Sequence, residues 1–256
     1  MSLIQTLILS AVEGFTEFLP ISSTGHLILA SQALGIESTE FLKSFNIIIQ
    51  LGAILAVIIL YFKTLLNTKI WPQILTAFIP SAVIGFLLYG FIKNVLFESS
   101  LVVVIMLFLG GIAFILIEYI HKDKKYNEGG IEKISLKNAF TIGLFQAFSV
   151  IPGTSRSGAS ILGALMLGIN RKTAAEFSFI LAVPTIFGAT MLDIYETRLS
   201  FNQDELTFLI VGFMGSFVFA LISIKWLIKY VQNHSFIVFG VYRIILAIVF
   251  FLVFLR

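Results

Sequence analysis

Residues 13–26 read Glu13-Gly-Phe-Thr-Glu17-Phe-Leu-Pro-Ile-Ser-Ser-Thr-Gly-His26, and they interrupt an otherwise apolar stretch with carboxylates, hydroxyls and an imidazole. A second polar cluster, Pro152-Gly-Thr-Ser-Arg156-Ser-Gly-Ala-Ser160, interrupts another apolar stretch. Ionisable side chains are costly at membrane depth and usually serve a function there. Both clusters are therefore candidates for a functional site.

The composition around these clusters is that of a membrane protein. The 256 residues are 58% hydrophobic and 12% charged, with a mean hydropathy of +1.01, whereas soluble domains carry about 25% charged residues. The chain has no cysteine, which excludes disulfides, cysteine-bound zinc and thiol catalysis. Basic residues are dispersed between apolar spans, so we expect the lipid bilayer and no nucleic acid as a partner.

Hydropathy predicts six transmembrane helices, near residues 44–62, 74–92, 100–120, 173–195, 207–228 and 236–255. Two further stretches, 3–34 and 138–168, are apolar at both ends but contain the polar clusters. Each half is too short to cross a bilayer at about 1.5 Å per residue, so we predict two re-entrant helix hairpins. The predicted fold is an all-α polytopic membrane protein with a single integral membrane domain, residues 1–256.

The charges of the loops predict the orientation. Hairpins return the chain to the side from which it entered, which places most basic residues on one face: Lys63, Lys69, Lys122, Lys124, Lys125, Lys133, Lys137, Arg171, Lys172, Lys225 and Lys229. The positive-inside rule assigns that face to the cytoplasm and leaves both termini outside. The polar stretch 121–137 is the predicted cytoplasmic linker.

The two hairpins are related in sequence. A shift of 133 positions aligns several residues of the polar clusters: Glu13 with Gln146, Ser22 with Ser155, Thr24 with Ser157, and Gly25 with Gly158. The predicted topology makes residues 1–120 and 138–256 the two halves of an inverted-topology repeat, an architecture that brings broken helices to a shared midplane site. Convergence is therefore predicted for six residues: Glu13, Glu17, Ser23, His26, Ser155 and Arg156.

Glu13 and Glu17 are four residues apart, which places both carboxylates on one face of a helix. Two like charges this close repel each other in a partly desolvated site unless a cation, either a divalent metal or a cation of the substrate, lies between them. The alternative is a structural pair of acids that is hydrogen-bonded to serines. Carboxylate oxygens suit Mg²⁺ or Ca²⁺, and Mg²⁺ is often shared between one or two carboxylates and substrate phosphates. The spacing therefore favours a divalent metal site.

Each polar cluster also has the features of an anion site. Pro20 ends the preceding helix, and the hydroxyls of Ser22, Ser23 and Thr24 are suited to cap a new one. In the second cluster, Gly153, Thr154, Ser155, Ser157 and Ser160 surround Arg156, whose guanidinium binds phosphate oxygens in pairs. A compact polyanion is the ligand that these features indicate.

Two further ionisable residues lie in or near the predicted spans. We expect Arg243, within the last span, either to reach the membrane surface or to pair with an internal acid. Glu118 lies near the end of its span, and we expect it to be hydrated.

Both clusters resemble the signature motifs of the undecaprenyl-diphosphate phosphatase family of the bacitracin-resistance (BacA/UppP) type. The similarity covers nearly the whole chain and includes residues 45–53, 176–179 and Tyr242-Arg243. It implies an enzyme of the bacterial plasma membrane that hydrolyses undecaprenyl diphosphate to the monophosphate, which recycles the lipid carrier for peptidoglycan synthesis and gives bacitracin resistance. The family's second motif usually ends in threonine, whereas this chain has Ser160, which preserves the hydroxyl.

For this reaction we assign Glu13 and Glu17 to the metal and Arg156 to phosphate binding. Seven further residues of the two clusters are assigned to substrate binding: Ser22, Thr24, Gly153, Thr154, Ser155, Ser157 and Ser160. Glu17 also serves as a base in this assignment. Ser23 is the favoured nucleophile, with His26 as general acid or base, while attack by His26 or by a metal-bound water remains open. We expect the site to open to the outer face.

A lipid-phosphate flippase or anion transporter is the alternative, because inverted repeats with broken helices also occur in carriers. The Ser-Ser-Thr-Gly-His run beside paired carboxylates favours hydrolysis, since transport does not require a nucleophile. A homodimer is compatible with the sequence, which does not determine the oligomeric state.

Overall fold

The computed structural model describes residues 1–88, 90, 99–120, 129–197 and 201–255. Its elements are helical, and these ranges contain no β-strand. The helices are α1 (Leu3–Thr16), α2 (Ser23–Ala33), α3 (Glu40–Leu60), α4 (Phe62–Leu65), α5 (Trp71–Leu87), α6 (Ser100–Ile120), α7 (Leu136–Ala147), α8 (Arg156–Met166), α9 (Arg171–Thr197), α10 (Gln203–Val231) and α11 (Ile237–Phe254).

Five helical segments are long and apolar enough to cross a membrane: Glu40–Leu60, Thr68–Leu87, Ser100–Ile120, Arg171–Glu196 and Gln203–Val231. They correspond to five of the predicted spans, and the sixth contains the shorter apolar helix α11. Helix α10 exposes a stripe of apolar residues at four-residue spacing, namely Ile210, Met214, Val218 and Ile222. Soluble monomers rarely expose a contiguous apolar surface of this kind. The chain is therefore an all-helical, multi-pass membrane protein.

Polar residues fix where several helices begin. Ser2 and Gln5 form a capping box at the start of α1, and Asn202 and Glu205 form another at the start of α10. Thr39 accepts a hydrogen bond from the backbone N–H of Leu42 and caps α3. Because these side chains satisfy N–H groups that have no partner within the helix, they stabilise the ends of helices that carry few charges.

Two pairs of short helices contain the polar clusters. Helices α1 and α2 have 14 and 11 residues, and α7 and α8 have 12 and 11. At about 1.5 Å per residue, even the longest spans about 21 Å, which is less than the roughly 30 Å of a bilayer core. Each pair folds back on itself, because α1 packs against α2 and α7 against α8.

The packing of the two helix pairs is reciprocal. Helix α1 packs against α10, whereas α7 packs against α5. Glycines permit the close approach: a Cβ atom at Gly14 would collide with Ser216 and Phe219 of α10, and one at Gly143 would collide with the backbone of Ala77 in α5. The central pairs α3–α9 and α6–α11 also pack directly. Each helix pair is therefore held by a long helix from the other half of the chain.

Glu118 is buried, with a side chain only 1% exposed, so the expectation that it is hydrated is wrong. Its oxygens accept hydrogen bonds from Nε and Nη2 of Arg171 at 2.9 and 2.6 Å, and from the backbone N–H of Phe236 at 2.9 Å. The pair links the end of α6 to the start of α9. Three charge-assisted hydrogen bonds replace the water that Glu118 loses.

Part of the predicted linker 121–137 falls outside the described residues, which resume at residue 129. The described part contains a short 3₁₀ turn, Ile131–Lys133, before Ser135 caps α7. The hydroxyl of Thr173 donates to the carbonyl of Gly129 at 2.8 Å and attaches this segment to α9. Residues 89, 91–98, 198–200 and 256 also lie outside the described residues.

Candidate active site

The first tip lies between α1 and α2, where the helix is interrupted. Proline at position 20 cannot donate a backbone hydrogen bond, which prevents α1 from continuing. Ser22 then adopts a φ of 72°, a conformation that few residues other than glycine accept. Its hydroxyl accepts a hydrogen bond from the backbone N–H of Gly25 at 3.4 Å. Helix α2 therefore starts at Ser23, with its N-terminus at the tip.

The second tip, between α7 and α8, repeats this geometry. Ser155 has a φ of 74° and its hydroxyl accepts a hydrogen bond from the N–H of Gly158 at 3.0 Å. Ser22 and Ser155 are the non-glycine residues with positive φ in the described ranges, and the shift of 133 positions aligns them with each other. Gly153 has a φ of +90° and lies so close to Val103 that a Cβ atom on residue 153 would collide with the backbone of Val103.

Glu17 and Arg156 bring the two tips together. Nε and Nη2 of Arg156 donate to Oε1 of Glu17 at 3.3 and 3.2 Å, and Nη1 donates to the backbone carbonyl of Ser178 at 2.8 Å. Nearby, the hydroxyl of Ser157 donates to the carbonyl of Leu19 at 2.9 Å. Both side chains of the ion pair are at most 10% exposed. The predicted convergence of the two polar clusters is confirmed for Glu17 and Arg156.

Ser23 lies against the other oxygen of Glu17. Its hydroxyl donates a hydrogen bond to Oε2, so Glu17 accepts from Arg156 on one oxygen and from Ser23 on the other. A hydroxyl that donates a hydrogen bond to a carboxylate has its proton acceptor already in place, as a nucleophilic serine requires. Arg156 donates to the opposite oxygen of the same carboxylate, so its guanidinium is suited to bind an anion beside the Ser23 hydroxyl.

Glu13 is fully buried, and neither carboxylate oxygen has a hydrogen-bond partner among the described residues. It lies within electrostatic range of both Glu17 and Arg156. An unpartnered carboxylate is expensive to bury, unless a cation or a proton compensates for it. Its aligned counterpart, Gln146, instead donates to the hydroxyls of Ser81 and Thr185 at 2.8 and 3.1 Å. Of these two aligned positions, only the first carries a buried acid.

The residues present fit a divalent cation that is shared with a bound phosphate. The free oxygens of Glu13 are hard ligands, and Glu17 is close by, although its own oxygens are engaged by Ser23 and Arg156. Across the described ranges, no three histidine, aspartate or glutamate side chains are grouped to hold a metal. Mg²⁺ needs no such cage, because it commonly takes one or two carboxylates together with phosphate oxygens and waters.

His26 lies on α2 one turn after Ser23 but does not join the cluster around Glu17. Its Nδ1 is 2.7 Å from the carbonyl oxygen of Ser22, and its Nε2 is 2.7 Å from the hydroxyl of Tyr242 in α11. The two rings are parallel, with an interplanar angle of 4°. Both ring nitrogens are thus engaged, which does not favour His26 as the attacking group.

The remaining predicted residues differ in their burial and in their distance from the tips. The hydroxyl of Ser155 lies 3.1 Å from that of Ser157, beside the tip. Ser160 donates to the hydroxyl of Ser178 at 2.7 Å, and this contact holds α8 against α9. The hydroxyl of Thr154 is buried without a partner among the described residues, and Thr24 is partly exposed.

Arg243 is a structural centre of the site, a role that the sequence analysis did not predict. It is fully buried and donates to five backbone carbonyls at 2.9 to 3.3 Å: those of Pro20, Met106, Leu107, Gly153 and Thr154. These carbonyls belong to both tips and to α6. Neither expected outcome is correct, because the guanidinium does not reach the surface and pairs with no acid among the described residues. The only signal in the sequence was an arginine inside an apolar span.

Comparisons with known proteins show the family to which the sequence is related. The family model described as Bacitracin resistance protein BacA matches residues 6–249. An undecaprenyl-diphosphatase of Sulfurihydrogenibium sp. (strain YO3AOP1) is 54% identical over 252 residues, covering 98% of this chain and 99% of that protein. One from Aquifex aeolicus (strain VF5) is 51% identical and covers 96% of each chain. One from Wolinella succinogenes is 49% identical over 98% of this chain and 97% of that protein.

Proposed function

The chain belongs to the Bacitracin resistance protein BacA family, and we propose that it is a membrane-bound undecaprenyl-diphosphatase, which hydrolyses undecaprenyl diphosphate to the monophosphate and phosphate. The observation that carries this proposal is the contact of Glu17 with Ser23 on one oxygen and with Arg156 on the other. The relatives that bear this activity in their names are about half identical over nearly the whole chain.

In the proposed reaction, Arg156 turns its guanidinium towards the oxygens of the terminal phosphate and stabilises the charge that is transferred. Glu17 takes the proton of Ser23, whose Oγ attacks the terminal phosphorus. The bond from phosphorus to the bridging oxygen breaks, and undecaprenyl phosphate leaves with that oxygen. Glu17 passes the proton it took to the departing oxygen and becomes a carboxylate again. It then takes a proton from water, whose oxygen attacks the phosphorus of the phosphoserine. The bond from phosphorus to Oγ breaks, phosphate leaves, and Glu17 returns the proton to Oγ, which restores Ser23. The engagement of both His26 nitrogens supports Ser23 as the nucleophile over His26.

Glu13, together with Glu17, would hold Mg²⁺ or Ca²⁺. When bound, the cation neutralises charge on the diphosphate oxygens. Glu13 is suited to this role because its two buried oxygens have no other partner in the described part of the chain. The hydroxyls of Ser22, Thr24, Ser155 and Ser157 line the tips and would orient the diphosphate.

For the membrane arrangement we propose six transmembrane helices with α1–α2 and α7–α8 as re-entrant hairpins of an inverted repeat. The reciprocal packing of α1 on α10 and of α7 on α5 supports this arrangement. So do the matching conformations of Ser22 and Ser155. Both termini then lie outside the cell, and the site opens to the outer face, where the prenyl chain remains in the bilayer.

The test is phosphate release from a prenyl diphosphate by detergent-purified protein. Wild type is compared with Ser23→Ala and Glu17→Gln, and with Glu40→Gln as a matched control, since Glu40 pairs with Lys43 on the surface. We expect metal-dependent release by wild type and Glu40→Gln, and loss of release in both site variants. Absence of release by folded wild type under every metal condition would contradict the proposal and favour lipid-phosphate transport.

A further inference from the structure

The contacts of His26 define which of its nitrogens carries the proton. The carbonyl oxygen of Ser22 only accepts hydrogen bonds, so Nδ1, 2.7 Å away, must be the donor. In the neutral imidazole Nε2 then bears a lone pair, which accepts from the hydroxyl of Tyr242 at 2.7 Å. The pair of contacts therefore selects one tautomer, with the hydrogen on Nδ1.

Tyr242 is anchored to the same structure that holds the tips. It precedes Arg243, whose guanidinium binds carbonyls from both tips and from α6. The tyrosine ring lies parallel to the imidazole with centroids 5.6 Å apart. Helical spacing places His26 on the same face of α2 as Ser23, one turn further along. Movement of Tyr242 would thus change the position of a ring beside the proposed nucleophile.

We propose that Tyr242 is a positioning residue of the hydrolytic site, which holds His26 in the Nδ1–H tautomer and occupies the lone pair of Nε2. This inference rests on the proposed function. His26 is thereby kept from attacking phosphorus, because the lone pair that would attack is already a hydrogen-bond acceptor. The fixed imidazole instead holds the N-terminus of α2, through Ser22, in the position that places Ser23 against Glu17.

The proposal concerns a hydroxyl group, so Tyr242→Phe is the matched substitution: it retains the ring and its stacking. Tyr230→Phe is the control, because Tyr230 also stacks on a histidine, His234, with centroids 4.6 Å apart and at an angle of 13°. The described structure gives the Tyr230 hydroxyl no hydrogen bond, whereas the backbone carbonyl of Tyr230 faces Nδ1 of His234 at 3.1 Å.

The first measurement is ¹⁵N NMR of histidine-labelled protein, with the His26 signals identified by their loss in His26→Gln. We expect wild type to show the Nδ1–H tautomer, and Tyr242→Phe to move the Nε2 signal downfield as its hydrogen bond is lost. A wild-type His26 with the hydrogen on Nε2 would overturn the proposal. Neither spectrum needs turnover, so both are independent of the proposed phosphatase activity, and the wild-type spectrum is also independent of the folding of any Tyr242 variant.

The second measurement is kinetic. Tyr242→Phe should lower kcat by about tenfold, with KM within about twofold of wild type, as expected for the loss of one positioning hydrogen bond. Tyr230→Phe should match wild type. In the His26→Gln background, Tyr242→Phe should cause no further loss, because Tyr242 acts through His26. An unchanged kcat in Tyr242→Phe, or a full additional loss in the double variant, would overturn the proposal.

Discussion

Nη2 of Arg156, at the start of α8, lies 3.2 Å from Oε1 of Glu17, in the turn that follows α1. This buried ion pair joins residues 139 positions apart, and the two polar clusters meet through it. Breaking a buried pair leaves an uncompensated charge and typically costs about 3–5 kcal/mol. Variants that keep the charge therefore separate a catalytic effect from a loss of stability.

Arg156→Lys keeps the positive charge but loses the planar fork that binds paired oxygens. We expect kcat/KM to fall by about a hundredfold or more, because one directed donor to the transferred phosphoryl group is lost. Arg171→Lys is the control, since Arg171 forms a comparable pair with Glu118 away from the tips. Steady-state phosphate release measures both variants. Equal activity of Arg156→Lys and wild type would remove the guanidinium from phosphate binding.

Glu13→Gln should have opposite effects on stability and activity. The carboxylate is fully buried with unpartnered oxygens, so an isosteric neutral amide lowers the cost of burial, and we expect an equal or higher unfolding temperature. Activity should fall by about a hundredfold or more, because a metal ligand is lost. Thermal unfolding in detergent and phosphate release are measured side by side. A less stable but active variant would assign Glu13 a structural role.

Removal of divalent cations should stop turnover reversibly. We expect a chelator to suppress phosphate release by wild type and added Mg²⁺ or Ca²⁺ to restore it. The reason is that a cation held by Glu13 and Glu17 would neutralise the negative charge of the diphosphate. Binding of the cation to the protein without substrate should be weak, since no group of three ligands was found in the described ranges. Full activity in excess chelator would exclude the metal.

Gly110→Ala should disturb the site from a distance. A Cβ atom at this position of α6 would collide with the guanidinium of Arg243, which holds both tips. We expect a loss of about 1–3 kcal/mol of stability together with reduced activity. Gly85→Ala, in α5, is the control, because a Cβ atom there meets nothing within 4 Å; it should be neutral or stabilising. Thermal unfolding distinguishes the two, and equal behaviour would contradict the importance of the Arg243 contacts.

The orientation of the chain is accessible to labelling, because the protein has no native cysteine. Single substitutions Lys137→Cys and Asp204→Cys lie at exposed positions in the first turns of α7 and α10. We expect a membrane-impermeant thiol reagent to label Asp204→Cys in intact cells, and Lys137→Cys only after the membrane is opened. The reverse pattern would place the termini in the cytoplasm.

Sequence reasoning identified the residues of the tip contact but not the means by which the tips are held. The acids, hydroxyls and arginine of the clusters were recognisable because polar groups are rare in apolar spans. His26 was assigned a general acid–base role, and its pairing with Tyr242, 216 positions away, had no sequence signal. Arg243 was noticed but given the wrong partners, because every residue has a backbone carbonyl and the sequence does not indicate which of them an arginine will contact.

The sequence by itself determined the helical membrane class, five long apolar spans and the two interrupted stretches, since hydropathy and helix breakers act locally. It also indicated that Glu17 and Arg156 converge, through the alignment of the two clusters, whereas their ion pair is a finding of the structure. Only the tertiary structure decided that Glu17 accepts from Ser23, that Glu118 is buried against Arg171 and that Arg243 clamps both tips. These contacts depend on which distant backbone atoms reach hydrogen-bond distance, and packing, not local pattern, sets those distances.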